Sequence, residues 1–201
     1  MIGASRIASN RNKTAAPLAP ATFWNWKGDS MTDQTTSQAG QVRTPSRQEA
    51  QELLAAADIA FVQTEWHGDV VSHCREAFTQ TVTGLGLPME NLAVFEVPGA
   101  FELPLEVQLL ARQRRYDVII ACGMITNGSV YRFDFLAQTV FDALMSIQLA
   151  EAQPLLSAVL TPIQFHGDPG HLKEFQSDFA VWGEDLARAC VKLLHNQQNN
   201  R

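Results

Sequence analysis

Three short segments of the chain combine an aromatic ring, a turn and charged side chains. The first contains Trp66 and His67, the second runs from Gly99 to Glu102, and the third contains Arg132. Tryptophan suits stacking on a flat heterocycle, histidine transfers protons near neutral pH, and arginine binds phosphate well. Together these residue types predict a site for a flat ring at one end and an oxyanion at the other.

Each of these side chains also has an ordinary structural explanation. Trp66 would equally serve as a cap over the edge of a sheet, and a histidine such as His67 is more often a surface residue than a catalyst. Glu102 lies where the dipole of a following helix favours an acid in any protein. The residue types alone do not decide between these alternatives, so the elements that position them matter.

Residues 117–135 indicate how one of these segments is placed. They begin with a short continuous apolar run, which is the pattern of a strand buried on both faces, and end in an amphipathic helix that opens near Phe133. The polar turn between them contains Asn127, Gly128 and Ser129. Open parallel sheets bind ligands at such strand ends, and the N–H groups at a helix start favour anions. We therefore predict an anion site, for phosphate, at this turn.

The same alternation of strands and helices continues along the chain. The other predicted strands are residues 59–63, 92–97 and 155–160. The other predicted helices are residues 47–57, 68–83 and 101–115, followed by two final helices after a polar loop rich in His and Gly. This order predicts a three-layer α/β/α sandwich, flavodoxin-like, with a four-stranded parallel sheet. Three of its strand ends then meet at one edge, where they bring the three segments together.

The length of 201 residues predicts one domain with tails. Residues 1–50 are rich in Ser, Thr, Ala, Gln and Asn, so we expect a disordered amino-terminal extension before an α/β domain at residues 51–198. The extension carries four basic residues before its first acid, as organellar transit peptides do. The favoured interpretation is instead a simple extended or artificial amino terminus, with another start at Met31.

Charge and cysteine content exclude several classes of protein. A net charge of −6 argues against a general binder of nucleic acid or of a membrane surface. The apolar runs are shorter than the ~20 residues that span a bilayer. The three cysteines lack metal or redox spacing and fall within apolar patterns, so we predict buried thiols, no metal site and a reducing compartment, the cytoplasm.

Three stretches of the sequence resemble a known enzyme family. Residues 97–104 (VPGAFELP), 128–135 and 159–161 are similar to the signature segments of 6,7-dimethyl-8-ribityllumazine synthase, which acts in riboflavin biosynthesis. The resemblance runs from Ile59 to Leu194, and its most specific part is the Pro-Gly-Ala-Phe-Glu segment. Residues 131–135 and 160–166 resemble a divergent branch of the family found in some rhizobial-type bacteria.

The resemblance implies a condensation that needs no cofactor. The primary amine of 5-amino-6-(D-ribitylamino)uracil attacks the ketone of 3,4-dihydroxy-2-butanone 4-phosphate, and imine formation, phosphate elimination and ring closure follow. Holding two reactants side by side supplies much of the acceleration of such a reaction. The implied substrate-binding residues are Trp66 for stacking, Gly99, Ala100, Phe101 and Glu102 for the ring and ribityl chain, Ile125 and Thr126 for the ring edge, Gly128, Ser129 and Val130 for phosphate, and Ser157 and Lys173 from a neighbouring subunit.

The chain departs from the family pattern at Arg132, where most members have histidine. Arginine binds phosphate but does not exchange protons near neutral pH, so a reduced activity is expected. His67, Asp134 or water would then move protons. The usual arginine of the later loop has three candidate replacements in Lys173, His166 and His171.

The family also implies a particular assembly. Its active sites lie between neighbouring subunits of a pentamer, so we expect a homo-oligomer, either a pentamer or a multiple of pentamers, acting on small molecules. Two alternatives to an active synthase remain: a non-catalytic paralogue that binds lumazine or riboflavin, and a generic flavodoxin-like nucleotide binder. The second is weaker because residues 64–68 are not a glycine-rich fingerprint.

Overall fold

Strands and helices alternate throughout the part of the chain that the structure describes. This structure is a computed structural model, and it describes residues 45–127, 132–162 and 169–199. The strands are β1 (Ile59–Thr64), β2 (Leu92–Val97), β3 (Val118–Met124) and β4 (Leu155–Leu160). The helices are α1 (Arg47–Ala55), α2 (Gly68–Gly84), α3 (Leu103–Gln113), α4 (Phe133–Glu151) and α5 (Pro169–Asn199), with a short 3-10 helix at Met89–Asn91.

The four strands form one parallel sheet in the order β2-β1-β3-β4. Thr64 at the end of β1 lies opposite Val97 at the end of β2, and Met124 lies opposite Leu160 in the same way across β3 and β4. The strand order reverses between β1 and β3, which is the switch point where flavodoxin-like sheets bind ligands. The predicted four-stranded parallel sheet is confirmed.

Helices cover both faces of the sheet. On β1, Ile59 and Phe61 pack into a core with α1, α2 and α5, whereas Ala60 and Val62 pack into a second core with α3 and α4. All residues of β1 and β3 are buried because these strands are central, which explains their unbroken apolar runs. The predicted three-layer sandwich is confirmed, and so is the prediction that the three cysteines are buried free thiols.

Two predicted helices end earlier than expected, and one also starts later. Residues 101–115 were predicted to be helical, but α3 begins two residues later because the Glu102 N–H donates to the Gly99 carbonyl in a turn (3.2 Å). The helix ends at Gln113, because the next residue, Arg114, has a left-handed φ of 55°. α1 ends before residue 57 because the Ala57 N–H closes a turn on Leu54.

The amino-terminal boundary of the folded part lies before residue 51. The predicted boundary at residues 50 and 51 falls inside α1, whose Ala50 and Leu54 are buried in the core. Ser46 begins this helix with a capping box, in which its hydroxyl accepts from the Glu49 N–H and its own N–H donates to the Glu49 carboxylate.

The prediction of two final helices is wrong, because α5 is continuous from Pro169 to Asn199. Gly183 lies in its interior without interrupting it. A Cβ at this position would lie 2.9 Å from the Phe78 backbone nitrogen and would also collide with the Cys74 carbonyl of α2. The glycine therefore allows α5 and α2 to pack closely against each other, and it does not mark the end of a helix.

Candidate functional site

The end of β1 is tied to the end of β2 by backbone hydrogen bonds beyond the strands. The Glu65 N–H donates to the Val97 carbonyl (2.8 Å), and the Trp66 N–H donates to the Pro98 carbonyl (3.2 Å). The indole of Trp66 is 64% exposed. A ring this exposed buries too little area to act as a cap over the sheet, so its face is available to a ligand.

His67 connects the end of β1 to the end of β3. It starts α2 in a left-handed conformation (φ 57°), and its carbonyl accepts the N–H groups of Val70 and Val71. Its imidazole Nε2 lies 3.4 Å from the hydroxyl oxygen of Thr126. The two residues thus meet at the switch point of the sheet, between β1 and β3.

The protonation of His67 follows from its surroundings. Burial lowers the pKa of this imidazole from its ordinary value of 6.5, and the nearby carboxylate of Asp69 partly offsets the effect. His67 is therefore neutral at pH 7 and able to accept a proton. Asp69 was not predicted from the sequence as part of the site, because an acid in the first turn of a helix is common in any protein.

The turn after β2 presents a small buried residue followed by two exposed ones. Ala100 is buried, whereas the Phe101 ring is 67% exposed and Glu102 is also exposed. Glu102 occupies the first position before α3, and its carboxylate does not accept a capping hydrogen bond from the described turn of that helix. It lies instead close to Gly99, where an added Cβ would be 3.3 Å from Oε2.

The end of β3 is tied to the end of β4. The Ile125 N–H donates to the Leu160 carbonyl (2.8 Å), so a contact of this residue with the edge of a bound ring would have to use another of its backbone groups. The predicted phosphate-binding residues Gly128, Ser129 and Val130 lie outside the described residues, as do two candidate cations of the later loop: His166, and the side chain of His171.

Arg132 is held at the start of α4 by two neighbours. Its guanidinium donates to the Asp134 carboxylate (2.8 Å) and lies 3.9 Å from the centre of the Phe135 ring. The hydrogen bond from Arg132 is the main reason that the pKa of Asp134 is lowered. Asp134 is therefore ionised near neutral pH and poorly suited to donate a proton, which leaves His67 as the better candidate for proton transfer.

Two predicted substrate-binding residues do not lie at the ends of β1, β2 and β3. Ser157 is in the edge strand β4, and its hydroxyl oxygen accepts the Val159 N–H (3.4 Å). Lys173 is exposed on α5, one turn before Gln176, whose amide donates to the Asp69 carbonyl (3.1 Å). The amide of Gln176 thus places the start of α5 beside the start of α2. Neither this hydrogen bond nor the one between Ser157 and Val159 brings Ser157 or Lys173 to Trp66.

The opposite, amino-terminal edge of the sheet also carries a cavity. It lies between α1 and the end of α5, and its lining includes Asp117 and His195 but none of the predicted site residues. In residues 45–127, 132–162 and 169–199, no three His, Cys, Asp or Glu side chains are grouped to hold a metal ion. Nor is any helix in these ranges long and apolar enough to cross a membrane.

The sequence was compared with families of known proteins, and the match covers the sheet and helices α2 to α5. The model of the 6,7-dimethyl-8-ribityllumazine synthase family matches residues 56–198. The chain is 46% identical over 136 residues to 6,7-dimethyl-8-ribityllumazine synthase 2 of Bradyrhizobium diazoefficiens, covering 68% of this chain and 81% of that protein. It is 44% identical over 131 residues to 6,7-dimethyl-8-ribityllumazine synthase of Rhodococcus erythropolis, covering 65% and 84%. A third relative, 6,7-dimethyl-8-ribityllumazine synthase 2 of Pseudomonas syringae pv. tomato, is 38% identical over 143 residues, covering 71% and 84%.

Proposed function

The chain belongs to the 6,7-dimethyl-8-ribityllumazine synthase family and is a transferase of riboflavin biosynthesis, and we propose that the three strand ends at Trp66, Glu102 and Arg132 form its substrate site. Its substrates are 5-amino-6-(D-ribitylamino)uracil and 3,4-dihydroxy-2-butanone 4-phosphate. The observation that carries the proposal is the pair of links from the end of β1 to its two neighbours: Trp66 to Pro98 at the end of β2, and His67 to Thr126 across the switch point at the end of β3.

Each end of the proposed site suits one end of the reacting pair. The exposed indole of Trp66 stacks on the pyrimidine, and the Glu102 carboxylate accepts hydrogen bonds from the ribityl hydroxyls. At the other end, the Arg132 guanidinium binds the phosphate at the start of α4, together with the N–H groups of residues 128–130. The two substrates then lie side by side, so that the amine of one reaches the ketone of the other.

Proton transfer in this site falls to His67 and water. The amine that attacks the ketone must lose a proton as the imine forms, and neutral His67 is the acceptor at the junction of β1 and β3. Arg132 stabilises the negative charge on the leaving phosphate without exchanging protons. We propose that replacing the family's usual histidine with Arg132 lowers the rate but leaves the order of steps unchanged.

The turnover experiment is direct. Purified protein mixed with both substrates should form the fluorescent lumazine faster than a heat-denatured sample of the same protein. A rate equal to that control would remove the enzymatic proposal. Clear binding of riboflavin without turnover would instead favour a non-catalytic paralogue, an alternative that the names of the three relatives do not favour.

The rate should depend on pH through His67. Its pKa lies below 6.5, so the neutral form predominates at pH 7 and is lost only as the pH falls through that lower value. The acid limb of kcat/KM is therefore expected to have its midpoint below pH 6.5, and a His67→Gln variant should lack this limb. A limb with the same midpoint in the variant would assign the titration to another group.

We propose that the chain assembles as a homopentamer or a multiple of it, and that it works in the cytoplasm. The three buried free thiols suit a reducing compartment. Support for assembly comes from exposed apolar side chains four residues apart on two helices that cover the same face of the sheet: Leu105 and Leu109 on α3, and Met145 and Leu149 on α4. Such a surface is typical of an interface between subunits.

Light scattering tests the assembly. The measured mass should be five times 22.2 kDa, or a multiple of that, and Leu149→Asp should lower it because a charge in an apolar interface is costly. Val181→Asp is the matched control, because Val181 is similarly exposed on α5, in the other helical layer. A monomeric protein at micromolar concentration would contradict the proposal.

A further inference from the structure

Thr64, the last residue of β1, is hydrogen-bonded to the backbone of the proposed ring-binding residue, Trp66. It is completely buried, and its hydroxyl donates to the carbonyl of Trp66, two residues further on (3.1 Å). A buried hydroxyl is stable only when it has such a partner. The hydroxyl therefore joins the rigid end of a central strand to the backbone of an exposed loop.

The side chain of Thr64 is also fixed from the opposite side, by β3. A Cβ added at Gly123 would lie 2.9 Å from the Thr64 methyl carbon, 3.2 Å from its hydroxyl oxygen and 3.3 Å from Leu103 Cδ1. Thr64 thus fills the space that a side chain at position 123 would need. Because β-branched side chains have few rotamers, packing its methyl against Gly123 directs its hydroxyl towards the loop.

The carbonyl that Thr64 holds controls the direction of two site residues. The Trp66 carbonyl and the His67 N–H belong to one planar peptide group. Fixing this plane restricts ψ of Trp66, and with it the direction of the indole, and also restricts φ of His67, which is left-handed at 57°. Non-glycine residues adopt that conformation only when their surroundings enforce it, and in it His67 reaches Thr126.

We propose that Thr64 is a positioning residue, whose hydroxyl orients the Trp66–His67 peptide so that the indole faces the ring substrate and the imidazole reaches Thr126. The identity of that substrate rests on the proposed function, whereas the orientation itself does not. Thr64 acts through these two residues and does not contact the substrate.

Two matched pairs of residues at position 64 separate the hydroxyl from the shape of the side chain. Thr64→Val keeps the branched shape and removes the hydroxyl, whereas Thr64→Ser keeps the hydroxyl and removes the methyl that packs on Gly123. Thr64→Ala differs from the serine variant by the hydroxyl alone. It supplies the same comparison if the valine variant does not fold.

The readout is the ¹⁹F NMR signal of 5-fluorotryptophan at Trp66 in the substrate-free protein, assigned by its loss in Trp66→Phe. We expect this signal to shift or broaden in the valine and alanine variants and to stay in place in the serine variant. The signal of Trp182, on α5, should stay in place in all three and reports that the fold is intact. A Trp66 signal that is unchanged without the hydroxyl, or that moves equally in the serine variant, would overturn the proposal.

Kinetics give the second readout. Loss of the hydroxyl should raise KM for the ring substrate about fivefold, the effect of one ordinary hydrogen bond, and the serine variant should remain close to the unchanged protein. Equal KM values in the serine and alanine variants would count against the proposal. If Trp66 responds as expected but the unchanged protein forms no lumazine, the positioning role stands and the proposed function fails.

Discussion

Replacing Trp66 with alanine is expected to raise KM for the ribitylaminouracil roughly 5- to 150-fold, because stacking a heterocyclic base on an aromatic side chain is worth ~1–3 kcal/mol. The indole is 64% exposed and contributes little to the core, so its loss should leave the fold intact. Steady-state kinetics with each substrate varied in turn measures the effect. KM for the phosphorylated butanone should change far less, because that substrate has no ring.

The matched control for this prediction is Trp66→Phe, which keeps an aromatic face at the same position. It should retain most of the affinity for the ring substrate, since the face of the ring and not the indole N–H makes the contact. Circular dichroism of both variants checks that the fold is unchanged. An alanine variant with the KM of the unchanged protein would mean that the ring does not bind at Trp66.

Replacing Gly183 with alanine is expected to lower the free energy of unfolding by about 3 kcal/mol, the upper part of the usual range for overpacking. The new Cβ would lie 2.9 Å from the Phe78 nitrogen and 3.0 Å from the Ala77 Cβ, in addition to its collision with the Cys74 carbonyl. These are mostly backbone atoms, so α2 and α5 would have to move apart. Urea denaturation at a fixed protomer concentration measures the change, since assembly also contributes to stability.

Gly84→Ala provides the control for the helix crossing. Gly84 is the last residue of α2, and a Cβ there would meet nothing within 4 Å. This variant should be between unchanged and about 1 kcal/mol more stable, because alanine favours helix more than glycine does. If Gly183→Ala proved as stable as Gly84→Ala, the close approach of α5 to α2 would be wrong.

The positions of the strands were predictable from the sequence because each one is a short apolar run. Residues 92–97 and 155–160 were assigned correctly at both ends, and the first strand extends one residue further than predicted, to Thr64. The prediction of two final helices was wrong, because the sequence does not reveal that Gly183 lies inside one long helix, where it allows close packing against α2. A glycine that ends a helix and a glycine that allows two helices to pack closely cannot be distinguished from the local sequence.

The site was predictable only in part, for a similar reason. Strand order brings Trp66, Glu102 and Arg132 to one edge of the sheet, and this follows from the alternation of strands and helices. Contacts between one strand end and the next, such as that of His67 with Thr126, depend on backbone conformations that have no sequence pattern. The left-handed φ of His67 is an example, since most residues with that conformation are glycine.

A crystal structure of the protein with bound lumazine and inorganic phosphate would test the shared site most directly. We expect the ring against the face of Trp66, the ribityl hydroxyls within hydrogen-bonding distance of the Glu102 carboxylate, and the phosphate beside Arg132 at the start of α4. A ring bound away from Trp66, or a phosphate bound away from Arg132, would contradict a single site built from these three strand ends.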